Sequence, residues 1–83
     1  MSYLPKVLSE TPDLQNGKFG IKYVYADGSV GFKPHDSKYL FVTAQDGSKT
    51  TYEEQNDSSF NKTTVKKANG EIEFYFNVKI FLN

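Results

Sequence analysis

The carboxyl-terminal segment constrains the chain most. From Glu71 to Asn83 the even positions are Ile72, Phe74, Phe76, Val78, Ile80 and Leu82, while the odd ones are mainly Glu71, Glu73, Asn77 and Lys79, with Tyr75 and Phe81. A period of two sends alternate side chains to opposite faces of an extended strand, and a helix does not accommodate it. The segment therefore reads as a long strand whose even-numbered side chains, Phe74 and Phe76 included, face a core.

Three dipeptides punctuate the rest: Asp27-Gly28, Asp46-Gly47 and Asn69-Gly70. Each lies between strand-like runs, and each suits the positive φ of a two-residue type I′ hairpin loop. Such a loop sets the register, and the register sets which residues share a face. The first hairpin then pairs Tyr25 with Val30, Tyr23 with Phe32 and Ile21 with Pro34. The second pairs Phe41 with Tyr52 and Thr43 with Thr50, with Lys49, Glu53 and Glu54 guarding an edge. The third pairs Val65 with Phe74 in the core and Lys66 with Glu73 outside. Residues 53–59, Glu-Glu-Gln-Asn-Asp-Ser-Ser, read as a polar connection between hairpins. Residues 1–18 follow no strict period: Thr11-Pro12-Asp13 has the look of a brief helix start, ended by Asn16-Gly17.

The expected architecture is all-β: a small antiparallel barrel or tight sandwich of six to seven strands built from three hairpins. Residues 1–18 form an N-terminal arm or short strand and residues 19–83 a single β domain. Twelve extended residues from Glu71 to Leu82 would span about 40 Å, whereas a domain of this size has a radius of gyration of about 12 Å. The last strand must either bend within the domain or project and pair with another chain.

With 83 residues there is room for one core, and without cysteine nothing staples it covalently. Seven Phe and six Tyr supply the bulk that such a core needs. Missing cysteine also removes thiolate nucleophiles, zinc ribbons and iron–sulfur ligation. A formal net charge of zero lacks the basic footprint of a dedicated DNA binder. No run is long and apolar enough for a membrane helix, and the first residues carry no secretory signal, so an intracellular setting, host cytoplasm or virion, is expected.

Candidate chemistry is sparse. His35-Asp36-Ser37 brings together hydrolase residue types, but neighbours on an extended segment point apart and no nucleophile elbow is present. Asp27, Asp46 and Asp57 lack calcium-loop spacing. Glu71 and Glu73 share a face with a lysine partner and solvent rather than a catalytic environment. No enzyme activity, cofactor or metal is expected.

What remains is binding by surface shape. Tyr75 and Phe81 fall on the nominally outer face of the last strand and Phe60 should join them near Lys79, which makes Phe60, Tyr75 and Phe81 the candidate interface. The expected function is a non-enzymatic β binding or assembly module acting through protein–protein contacts or self-association. A short chain rich in Lys, Asn, Phe and Tyr and devoid of Arg suits a phage or mobile-element accessory or virion protein. The alternative is a barrel that binds single-stranded nucleic acid through Lys62, Lys66, Lys67 and Tyr75.

Overall fold

A computed structural model describes residues 2–83. It holds eight strands: β1 (Ser2–Tyr3), β2 (Val7–Gln15), β3 (Lys18–Tyr25), β4 (Val30–Pro34), β5 (Tyr39–Thr43), β6 (Lys49–Glu54), β7 (Phe60–Lys66) and β8 (Ile72–Phe81). They form one sheet in the order β1-β8-β7-β6-β5-β4-β3-β2. The sheet is strongly curled into a half-barrel, and no helix is present among the described residues. From β2 to β8 every neighbour is antiparallel and next in sequence, and only β1 runs parallel to its partner β8. The all-β expectation holds. The strand count and the three hairpins do not, because two further turns make hairpins of their own.

Asn16-Gly17 is a two-residue loop with both φ angles positive, joining Gln15 to its partner Lys18. Residues 7–15 therefore form a full strand of the sheet, longer than the short strand considered for residues 1–18 and without a helical turn at Thr11. The other addition is Gln55-Asn56-Asp57-Ser58-Ser59, expected as a plain polar connection. There Gln55 N–H donates to Ser59 O, Ser58 N–H donates to Gln55 O, and Ser58 takes φ 67°.

That same loop geometry recurs at the three Asx-Gly sites, with consequences for register. Tyr25 N–H donates to Ser29 O while Gly28 N–H donates to Tyr25 O, and the pattern repeats at Ala44/Ser48 and Lys67/Glu71. These are three-residue loops, a tight turn followed by a left-handed glycine bulge, and not two-residue loops. In all four the Asx side chain accepts the N–H two residues on: Asp27 from Ser29, Asp46 from Ser48, Asp57 from Ser59 and Asn69 from Glu71. Hydrogen bonds from Ser29 and Ser48 hold the Asp27 and Asp46 carboxyls below the usual range.

One extra loop residue slips each predicted pairing by one. Tyr23 pairs with Gly31 instead of Phe32, Leu40 with Tyr52, and Val65 with Glu73 instead of Phe74. A slip of one turns a strand's partner set to the other face. Phe74 thus leaves the core in which the sequence placed it, and Phe32 and Phe41 fall on the same face as it, Phe32 still buried there and Phe41 exposed.

The core consists of Leu4, Tyr25, Leu40, Val42, Phe60 and Ile80, packed against Val7, Tyr23, Tyr52 and Val78. It lies within the curl. The amino-terminal segment seals one end of it: Leu4 N–H donates to Phe81 O at 2.8 Å, and Lys6 O accepts from Ala26 N–H at 2.8 Å. Three residues between β1 and β2 thereby bridge the two edges of the sheet, and Leu4 is buried in the seam.

Burial pushes the Tyr25 phenol far above its ordinary value of 10.0, with nearby Tyr23, Tyr52 and acidic groups adding to the rise. Because the folded state holds this proton more tightly than the unfolded chain, the associated stability is intact below pH 10.0 and drains away as pH climbs beyond it. In an alkaline titration followed by phenolate absorbance and circular dichroism, Tyr25 should ionise together with loss of the sheet signal. Tyr25→Phe should move that transition to higher pH. Ionisation of Tyr25 in an intact sheet would contradict the buried placement.

Candidate functional site

The last strand is where fold and surface meet. Along β8, Ile80 pairs with Phe60 and Val78 with Lys62, but the next pair is Phe74 with Thr64. Three β8 residues, Tyr75, Phe76 and Asn77, thus stand against the single Thr63 of β7. Asn77 adopts φ 57°, in the left-handed region, within this irregularity. A bulge bends its strand and re-aims side chains. Here it reverses the alternation: even residues face the core beyond Asn77 and away from it before.

The length conflict is resolved in the same place. The longest dimension of the molecule is 32 Å, and a strand of β8's length is accommodated by the irregularity at Asn77. Consequently Ile72, Phe74 and Phe76, expected inside, are 53%, 81% and 89% exposed. Their strand is also an edge. β1 covers β8 only at Ile80 and Phe81, so residues 72–77 have a strand neighbour on one side alone among the described residues.

Three residues nominated as an interface are not brought together. Phe60 is 5% exposed, with its ring edge-on to Tyr52 in the core, so it cannot contribute to a surface. The register slip and the bulge account for this. Phe81 lies opposite in sense to buried Ile80, with its ring 6.0 Å from Tyr3 and Lys79 above it. Lys79 also binds Asp57 at 2.7 Å and, as the main cause, holds that carboxyl well below the usual range. Tyr75 stands in a third place: its hydroxyl donates to Glu73, and the Lys62 ammonium lies 4.3 Å from its ring centre.

Of the residues nominated for nucleic acid, Lys62, Lys67 and Tyr75 do meet. Their cations are occupied, however, since Lys67 is 2.8 Å from Glu73 and Lys62 sits on the Tyr75 ring. Lys66 points to the opposite face, paired with Ile72 and Lys49. His35 and Asp36 are exposed in the β4–β5 connection, where Asp36 approaches Lys18 at 3.9 Å.

No family model, curated protein or solved structure matches the chain.

On the face opposite the core, the observed pairings align Lys22, Phe32, Phe41, Thr51, Thr64 and Phe74 in one row across six strands. A second row runs through Val30, Thr43, Lys49, Lys66 and Ile72. A cavity of about 620 Å³ opens on this side, its apolar lining including Val30, Phe32, Pro34 and Phe41 and its cationic lining Lys18 and Lys49. Phe41, Phe74 and Lys49 were missed as site residues. A third loop residue at each Asx-Gly site gives the pairings within three hairpins, Lys22 with Phe32, Phe41 with Thr51 and Thr64 with Phe74. The rows across the whole sheet also need the β4–β5 and bulged β6–β7 registers, which no dipeptide signals.

Proposed function

We propose that the protein is a non-enzymatic assembly module that associates with a second copy of itself through the free edge of β8. The observation that supports this reading is the coincidence, on residues 72–77, of one-sided strand pairing with the exposure of Ile72, Phe74 and Phe76. An uncovered edge is a template for pairing with another chain, and folds usually protect such edges with charge, proline or a cap. The opposite edge carries one of these devices, Pro12 in β2. The β8 edge carries the Asn77 bulge and Glu73, yet between them it also presents large apolar side chains that a second strand would cover. Two copies related by a two-fold axis would set β8 against β8 and cover the same residues on both.

Sedimentation velocity across a concentration series tests the proposal. The parent should show concentration-dependent dimerisation, and Phe76→Lys should be monomeric over the same range with a thermal midpoint equal to that of the dilute, monomeric parent, because Phe76 is 89% exposed in the single chain. A parent that stays monomeric throughout, or a Phe76→Lys variant that still dimerises, would reject the edge-pairing model.

A further inference from the structure

Lys49 and Lys66 stand directly opposite each other on β6 and β7. Both are exposed, and neither joins any ion pair among the described residues. Like charges in direct cross-strand register are destabilising unless an anion lies between them. Lys22 adds a third cation at the end of the neighbouring row, beside Phe32. Two strand acids lie on this side. Glu53 is engaged by Lys38 at 3.8 Å. Asp13, which accepts from Leu14 N–H and the Gln15 amide, is near enough to Lys22 to feel its charge, so Lys49 and Lys66 are the cations without an acidic neighbour in an ion pair.

Between these cations lie aromatic rings. Phe41 is 45% exposed and Phe74 81% exposed, in one cross-strand row separated by Thr51 and Thr64. Tyr39 lies beside Phe41, with ring centres 6.5 Å apart. The cavity next to Phe41 is of the size that takes a drug-sized ring system, commonly about 300–1,000 Å³.

We infer that this face binds single-stranded nucleic acid, with bases stacked on Phe41 and Phe74 and phosphates held by Lys22, Lys49 and Lys66. Charge complementarity calls for a polyanion, and the rings call for one that carries flat apolar faces. An acidic peptide fits less well, because a peptide gains its main-chain hydrogen bonds at a sheet edge, whereas Lys22, Phe41, Lys49 and Lys66 lie on inner strands. A small anion would fill the cavity and leave Lys66 and Phe74, farther along the rows, without a role. Lysine supplies point charges without the bidentate fork of arginine, so recognition should be tolerant of sequence and sensitive to salt. The surface meets the outward edge of β8 at Ile72 and Phe74, whereas Phe76 lies outside both rows.

Fluorescence anisotropy with a labelled oligothymidylate of about 15 nucleotides, within the range one such barrel covers, is the direct test. Binding at low salt should weaken as salt rises with a logarithmic slope of about −2, from roughly 0.7 per phosphate contact and three lysines. Phe41→Ala should weaken binding by about tenfold, within the range for loss of one stacked base. Lys49→Gln and Lys66→Gln should each flatten the slope by about 0.7. Lys67→Gln, on the other face and paired with Glu73, should bind like the parent. Absence of binding at low salt would overturn the inference, as would equal binding by the Phe41→Ala and Lys49→Gln variants. An acidic peptide of equal charge that competes as well as the oligonucleotide would also overturn it. Phe76→Gln, which adds no charge to this face, separates this result from dimerisation: it should bind the oligonucleotide as a monomer.

Discussion

Replacing Leu40 by alanine should cost the protein a large part of its stability. Leu40 is 2% exposed at the centre of the core cluster, on β5, between Val42 of its own strand and Tyr52 opposite. Removing its branched end takes away transfer free energy and leaves a hole that a closed curl cannot collapse around, about 2–5 kcal/mol in comparable cores. At roughly 0.05–0.15 kcal/mol per residue, a chain of 83 residues has on the order of 4–12 kcal/mol in total. A loss of about 3 kcal/mol would lower the thermal midpoint by roughly 12–24 °C in a domain this small. Urea unfolding of Leu40→Ala against the parent measures it. A change under about 1 kcal/mol would mean that this site is loosely packed.

Gly20→Ala should be the other severe variant, for the opposite reason. A β-carbon at position 20 would lie 2.3 Å from the Lys33 carbonyl oxygen and 2.7 Å from the Pro34 α-carbon. Both are backbone atoms of β4, the strand paired to Gly20. Side chains can rotate out of such a contact, but ladder backbone cannot move without parting the strands. The expected cost is that of overpacking, about 1–3 kcal/mol or more. It should appear locally, as faster amide exchange at His35, whose N–H donates to Phe19 O at 3.0 Å. Parent-like exchange at His35 and an unchanged urea midpoint would show that β3 and β4 are not held this close.

Hairpins at residues 27, 46 and 69 were legible because Asx-Gly is a backbone signal: positive φ is needed there and few residues supply it. Asn16-Gly17 carried the same signal but stood next to Thr11-Pro12-Asp13, whose helix-start pattern competed with it. At 57 the left-handed position is Ser58, so the expected glycine was missing although Asp57 and Ser59 repeat the Asp-x-Ser of the other loops. Loop length was not legible from the dipeptide. Two and three residues look alike until the bulge is seen, yet they assign opposite faces to every side chain beyond.

This ambiguity and the bulge at Asn77 together misplaced the candidate site. Phe60 went to the surface and Phe74 to the core, whereas the structure has them the other way round, at 5% and 81% exposure. Nothing in an even-numbered run from Ile72 to Leu82 announces that Asn77 will reverse it. Asparagine tolerates the left-handed region, but it does so in many places that are not bulges.

Local chemistry alone thus determined that the chain is extended throughout, where most of it turns, and that its core is uncrosslinked. Those properties depend on a residue and its immediate neighbours. That about half the large aromatics stay outside a core built mainly on Leu4, Leu40, Val42 and Ile80 was not legible. Which face each strand buries, how residues 2–7 close the seam, and which lysines are left facing one another were decided only by tertiary structure. They depend on register, and register is a property of two strands and the loop between them, settled by how the whole sheet curls around Leu40 and Tyr25.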